Sequence, residues 1–333
     1  MNNYFNLYST FRVTKGYKRS IIIDLIKHEI QFIPNDLYDI LTKYKKKSLT
    51  FIKKNYNYKF HETIDQYFDF LLKNNIIFFC SKKEIDFFDE IELDFEYPSI
   101  ITNSIIDINF DIDYINFISE LDELGCKSIQ IRSFYNEYHL DYFSNILSLI
   151  SDSNILDIEL IINEINDEED VIINFINNNP KISKLILFNS QRSRFSNNSF
   201  HNKIIFTNKM INNESHCGEI NMKNFSVNYD MYFESHNYNS CLNKKISVDK
   251  NGNIKNCPST NIIYGQINSS SLHDIINNRE FQLLWKIKKD EITVCKECEF
   301  RYICLDCRAY TSDGLYSKPL KCNYDPYKGV WIN

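Results

Sequence analysis

Glycine and proline are scarce: the 333 residues include seven glycines and six prolines, and five of those glycines lie beyond residue 216. Phosphate loops need glycine so that backbone N–H groups can approach the ligand. Neither G-x-G-x-x-G nor G-x-x-x-x-G-K-[ST] occurs, which argues against a nucleotide cradle in this chain. G-x-S-x-G and H-E-x-x-H are missing too. No apolar run reaches the roughly 18 residues that a membrane span needs. The opening "MNNYFNLYSTFRVTKGYKRS" lacks the basic, apolar and small-residue segments of a signal peptide. With 38 basic and 44 acidic side chains the net charge is -6, so nothing pulls the chain toward nucleic acid. The expectation is a cytoplasmic protein with no membrane or nucleic-acid partner.

Cysteine is not scarce. There are ten, and eight lie beyond residue 216: Cys217, Cys241, Cys257, Cys295, Cys298, Cys304, Cys307 and Cys322. In a reducing compartment such a set points to metal binding more than to disulfides. Disulfides stay open as the alternative, because the compartment is itself inferred. Cys80 and Cys126 sit in apolar contexts and read as buried free thiols.

The chain divides by rhythm into three regions, residues 1–98, 99–215 and 216–333. In the first, "YFNLYSTFRVT" and "RSIIIDLIKHEIQFI" read as strands joined at Gly16. Helices follow in "PNDLYDILTKYKKK" and "HETIDQYFDFLLKNN", then a final strand, "IIFFC". This order suggests a small winged-helix-like domain. It is either a packing module or a clasp that adds a peptide strand to an exposed edge.

In the second region, "SIIDINF", "KSIQIRSF", "ILDIELII" and "KISKLILF" alternate with helical stretches near 112–124, 139–151 and 167–178. Tyr114, Phe117, Ile118 and Leu121 share one helical face and read as core. Repeated strand–helix–strand units give an α/β class with parallel βαβ connections and a partial βα barrel or open sheet. The third region is loop-rich apart from one helix, "SLHDIINNREFQLLWKIKK", with Ser271 as its N-cap. Metal coordination would supply the stabilisation its small core lacks.

Four-thiolate zinc sites usually separate their two C-x-x-C pairs by about 15–20 residues. Here Cys295/Cys298 and Cys304/Cys307 are only five residues apart. Further cysteines at 241, 257 and 322 suggest more than one centre, and iron–sulfur clusters suit thiolates arriving from scattered positions.

The order of these residues resembles a family. "CLNKKISVDKNGNIKNC" is C-x10-G-x4-C, followed by C-x2-C-x5-C-x2-C and Cys322. The pattern is similar to the SPASM domain, the C-terminal extension of radical SAM peptide-modifying enzymes, over residues 241–322. One departure is the x2 between Cys304 and Cys307, where that pattern has x3. "HCGEI" at 216–220 and "CEFRYICLDCRAY" further resemble the SPASM domain peptide maturase of grasp-with-spasm systems. That protein is expected to work beside an ATP-grasp ligase on a ribosomally made precursor peptide. The resemblance implies two [4Fe-4S] clusters. Cys295, Cys298, Cys304 and Cys322 would hold one; Cys241, Cys257 and Cys307 would hold the other. Cys217 is the candidate fourth ligand of the latter, with His216 as its competitor. Gly252 reads as the turn that brings Cys241 and Cys257 together.

A radical SAM enzyme also needs a C-x3-C-x2-C loop after its first barrel strand. Here "SIIDINF" runs into "DIDYINFISELDELG" without a cysteine, and "KSIQIRSFYNEY" lacks a glycine-rich turn. The expectation is therefore a degenerate radical-SAM-like barrel with no SAM and no independent catalytic centre. The readings are an iron–sulfur peptide-maturation factor, a cluster-dependent oxidoreductase modifying the peptide, or a zinc-binding peptide adaptor.

Overall fold

The computed structural model describes residues 4–89, 91–135, 139–165, 167–191 and 203–332. The two strand segments expected at the N-terminus are four strands: β1 (Tyr4–Leu7), β2 (Phe11–Lys15), β3 (Ser20–Asp24) and β4 (Glu29–Ile33). The extra break after β3 is an Asx turn, in which Asp24 Oδ1 accepts from the Ile26 and Lys27 amides. Helices α1 (Asn35–Lys43), α2 (Leu49–Asn55) and α3 (His61–Lys73) follow, then β5 (Ile77–Cys80). Helix α2 carries no long apolar period; Ser48 starts it by accepting from Phe51 N.

Strands β2, β3 and β4 form an antiparallel meander, and β1 pairs antiparallel with β5. All five residues of β3 are buried. Ile22 packs with Phe5, Leu37, Ile64 and Phe68 under the helices. Ile21 and Ile23 point the other way, into a core shared with Phe300, Ile303, Cys304 and Tyr324. The N-terminal sheet is thus sandwiched between its own helices and the cysteine-rich region.

The middle of the chain supplies β6 (Asn103–Asp107), α4 (Ile115–Glu123), β7 (Ser128–Ser133), α5 (Ser144–Ser151), β8 (Asp157–Asn163), α6 (Glu169–Asn178), β9 (Ile182–Phe188) and β10 (Ile204–Phe206). After α7 (Tyr229–Asn237) come β11 (Lys245–Val248), β12 (Asn253–Lys255) and β13 (Gly265–Gln266). Together they make one eight-stranded sheet in the order β10-β9-β8-β7-β6-β11-β12-β13. Pairing is parallel from β10 across to β11 and antiparallel at β12 and β13. The class is α/β with a large, mostly parallel sheet. Strand β11 pairs with β6, so residues from beyond position 215 extend the same sheet.

Helices α4, α5 and α6 cover one face through Phe117, Leu121, Leu147, Ile150 and Ile172 against Ile129, Ile131, Leu160 and Leu185. Period two then places Asp107, Gln130, Arg132 and Glu159 on the opposite face. The single helix expected near 271–289 is two, α8 (Leu272–Ile276) and α9 (Arg279–Lys286). Asn278 divides them, its side chain accepting from Glu280 N. Ser271 stands at the start of α8, but its hydroxyl donates to Glu120 Oε2, which itself accepts from Leu272 N. A last small hairpin joins β14 (Tyr324–Asp325) and β15 (Val330–Trp331). Among the described residues no helix is long and apolar enough to cross a membrane.

Candidate metal centres

The eight late cysteines gather into two groups of four. Cys217, Cys241, Cys257 and Cys307 line one cavity of about 260 Å3, with His216, Arg308 and Tyr310 also in its wall. Cys295, Cys298, Cys304 and Cys322 form the other group, close enough to perturb one another. Cys304 and Cys307 therefore serve different groups although only two residues separate them. All ten cysteines are free thiols.

Local structure explains the convergence. Cys241 precedes β11 and Cys257 follows β12, and the hairpin between them brings both to one end of the sheet. Its turn needs a left-handed residue, which Gly252 supplies at φ +78°. Asp249 Oδ1 accepts from the Asn251 and Asn253 amides and fixes the turn. Gly218 is also left-handed, at φ +83°; a Cβ there would meet Cys307 Sγ at 3.0 Å. A side chain would crowd the thiol beside Cys217. Val294 adopts φ +72° just before Cys295, a costly conformation for a β-branched residue. Ile220 bridges to Cys322, tying the segment of one group to a member of the other.

Each group contains a cation that the cysteine spacing did not disclose. Lys245 Nζ is 3.8 Å from Cys241 Sγ, and the buried Lys289 places Nζ 3.3 Å from Cys304 Sγ. Asp306 is fully buried and its charge is felt in both groups, at Cys295 and Cys304 and at Cys307. It accepts from Arg308 at 2.7 Å and from Asn239 at 2.7 Å, with Lys289 at 3.9 Å. The visible signal was basic residues beside cysteine in "CLNKK" and ahead of it in "KIKKDEITVC", which spacing arguments pass over.

Burial opposes ionisation of these thiols. It pushes Cys241 up to about 12 and Cys295 up to about 11, while Lys245 and Lys289 pull the other way. Cys298 is raised well above the ordinary thiol value, again by burial. Cys257 is raised by burial and by Cys217, with Lys245 and Arg132 opposing. Buried sulfurs of this kind become thiolates when a metal centre supplies the missing positive charge.

A tetrahedral zinc site with Zn–S bonds of about 2.3 Å brings its sulfurs to within about 3.8 Å of each other. Among the described residues, no three His, Cys, Asp or Glu side chains are arranged to hold a single ion. A four-iron cube keeps its thiolates farther apart than a single zinc ion does. Cys126 is fully buried in the sheet core; burial pushes its thiol up to about 12. Cys80 is half-buried on β5, its thiol donating to Tyr4 O. Neither approaches the two groups.

At the carboxyl ends of β6 and β7, Arg132 Nε donates to Asp107 Oδ1 at 2.6 Å, and both side chains are buried. No cysteine lies in the 108–125 segment after β6.

A family model described as SPASM, an iron-sulfur cluster-binding domain, matches residues 240–299. The match includes Cys241, Cys257, Cys295 and Cys298. No curated protein matches the chain. Among solved structures the chain is similar to Streptococcus suis SuiB bound to S-adenosylmethionine, at 10% identity and TM-score 0.32 over 92% of this chain and 96% of that one. It is also similar to SuiB bound to precursor peptide SuiA, at 11% identity and TM-score 0.32 with the same coverage.

Proposed function

We propose that residues 216–333 hold two [4Fe-4S] clusters and that the chain is a maturation factor for a ribosomally made precursor peptide, acting with an ATP-grasp ligase. The observation that carries the first part is the sorting of eight cysteines into two four-thiol groups, four of the eight lying within the residues 240–299 that match an iron-sulfur cluster-binding domain. Cys217, Cys241, Cys257 and Cys307 would hold the first cluster; Cys295, Cys298, Cys304 and Cys322 would hold the second. Bound clusters of this type supply one-electron storage and cross-linking of the loops that ligate them.

A peptide has room in a groove of about 850 Å3 against the N-terminal sheet, walled by Leu7, Tyr8, Arg12, Phe78, Phe88 and Leu93. Strand β2 is an edge strand, and its Phe11, Arg12 and Val13 line that groove. An extended segment could add there as a further strand. The ligase would bring its own nucleotide, since no glycine-rich phosphate loop occurs here. SAM radical chemistry is excluded from this reading because a three-cysteine loop is missing after β6, where the Asp107–Arg132 pair stands instead.

The experiment is anaerobic purification with iron, zinc and acid-labile sulfide measured together, followed by addition of SAM and dithionite. Brown protein with matched iron and sulfide and no 5′-deoxyadenosine is the expected result. Colourless zinc protein would overturn the cluster reading, and 5′-deoxyadenosine release would overturn the exclusion of SAM chemistry. Mixing the same protein with the short peptide and ligase encoded beside its gene tests the partner assignment; no association with either would reject it.

A further inference from the structure

Arg132 is 4% exposed, yet its Nη2 has no hydrogen-bond partner among the described residues. Burying a guanidinium donor unpaired costs free energy, so the group is expected to have an acceptor when the protein is complete. Nε is taken by Asp107, and the guanidinium lies against the Phe134 ring at 5.6 Å to its centroid. Those contacts fix the plane and leave Nη2 to point elsewhere.

The first cysteine group is in that neighbourhood. Glu214 acts on Asp107 electrostatically, and the Glu214 carbonyl accepts from Ser259 Oγ and Tyr310 Oη. Glu214 is three residues before Cys217, Ser259 two after Cys257, and Tyr310 three after Cys307. The charge of Arg132 is felt at Cys217 and Cys257.

Building on the cluster reading above, we infer that Arg132, held by Asp107, donates from Nη2 to the first cluster or its Cys217 and Cys257 thiolates, and so sets that cluster's reduction potential. Asp107 and Arg132 are positioning and tuning residues in this account. A cationic donor favours the reduced cluster, which carries one more electron, so the pair links the mouth of the sheet to the redox state of the metal centre.

The test is a dithionite titration of the anaerobic full chain followed by electron paramagnetic resonance. The first cluster's signal is identified by its loss in Cys241→Ala. Arg132→Gln should lower the potential of that signal by at least the equivalent of a tenfold change in reduced-to-oxidised ratio, about 59 mV for one electron. Asp107→Asn keeps an oxygen for Nε but removes the negative charge, and should move the potential up. The second cluster's signal should stay in place in both. An unmoved or raised first potential in Arg132→Gln overturns the inference while leaving the cluster reading intact. If that variant loses its iron, Asp107→Asn decides, and an unmoved potential there overturns it. Wild-type protein without iron and sulfide would instead sink the reading beneath it.

Discussion

Lys289 and Cys304 are both buried, with Nζ 3.3 Å from Sγ. The lysine also faces Asp306, which is the buried partner of Arg308. Replacing Lys289 by Met removes a cation from beside a four-sulfur group and leaves Asp306 with Arg308 and the neutral Asn239 amide. Breaking one partner out of a buried charge set costs on the order of 3 kcal/mol. Anaerobic guanidinium unfolding should show a loss of that size, with iron leaving the second group first. Unchanged stability and iron content would contradict this.

The N-terminal sheet is bound to the cysteine-rich region through Arg19. Its Nε lies 2.8 Å from Glu299 Oε1, Tyr324 Oη donates to the same oxygen at 2.5 Å, and its guanidinium sits 3.7 Å over the Phe32 ring. Glu299 is fully buried. Arg19→Ala strands that carboxylate, so a loss on the order of 3 kcal/mol is expected, Tyr324 retaining one bond. Arg19→Lys should recover part of it, lacking the planar fork. Equal stability of both variants with wild type would show that the contact holds nothing.

Gly252→Ala puts a side chain at φ +78° and a Cβ 2.9 Å from Ile267 Cγ2. A cost of about 1–3 kcal/mol is expected from the backbone alone. Because the same turn sets Cys241 against Cys257, iron in the first group should fall along with the melting temperature. A melting temperature at or above wild type would reject the role given to the turn.

His236 is half-buried, stacked on Tyr302 with ring centroids 3.6 Å apart and its Nδ1 2.6 Å from Tyr232 O. Burial lowers its pKa from the ordinary 6.5. The folded state thus binds a proton less readily than the unfolded chain. Its contribution is present above about pH 6.5 and is lost as the pH falls through the lowered folded value. Urea unfolding between about pH 7 and pH 5 should show stability declining, and His236→Gln should flatten part of that slope. An identical slope in the variant would remove His236 as the cause.

Strands β6 to β9 and helices α4 to α6 were legible because their apolar periods are long and each buries one face. The N-terminal strands were half legible: Gly16 marked one turn, but the Asp24 turn is made by a side chain inside an apolar run. The burial of β3 on both sides depended on Phe300 and Tyr324, more than 270 positions away, which no local pattern carries. The division of the eight thiols came from the family resemblance and not from spacing, since Cys304 and Cys307 fall in different groups although only two residues separate them. Lys245, Lys289 and Arg132 were invisible because a basic residue announces its burial only through tertiary packing.

The central claim is that eight thiols form two separate iron–sulfur sites, and paired deletions test it most directly. Cys257→Ala and Cys298→Ala should each remove about half of the iron and sulfide from anaerobically prepared protein, and together nearly all of it. Either variant retaining the full complement, or both emptying the protein alone, would contradict the account.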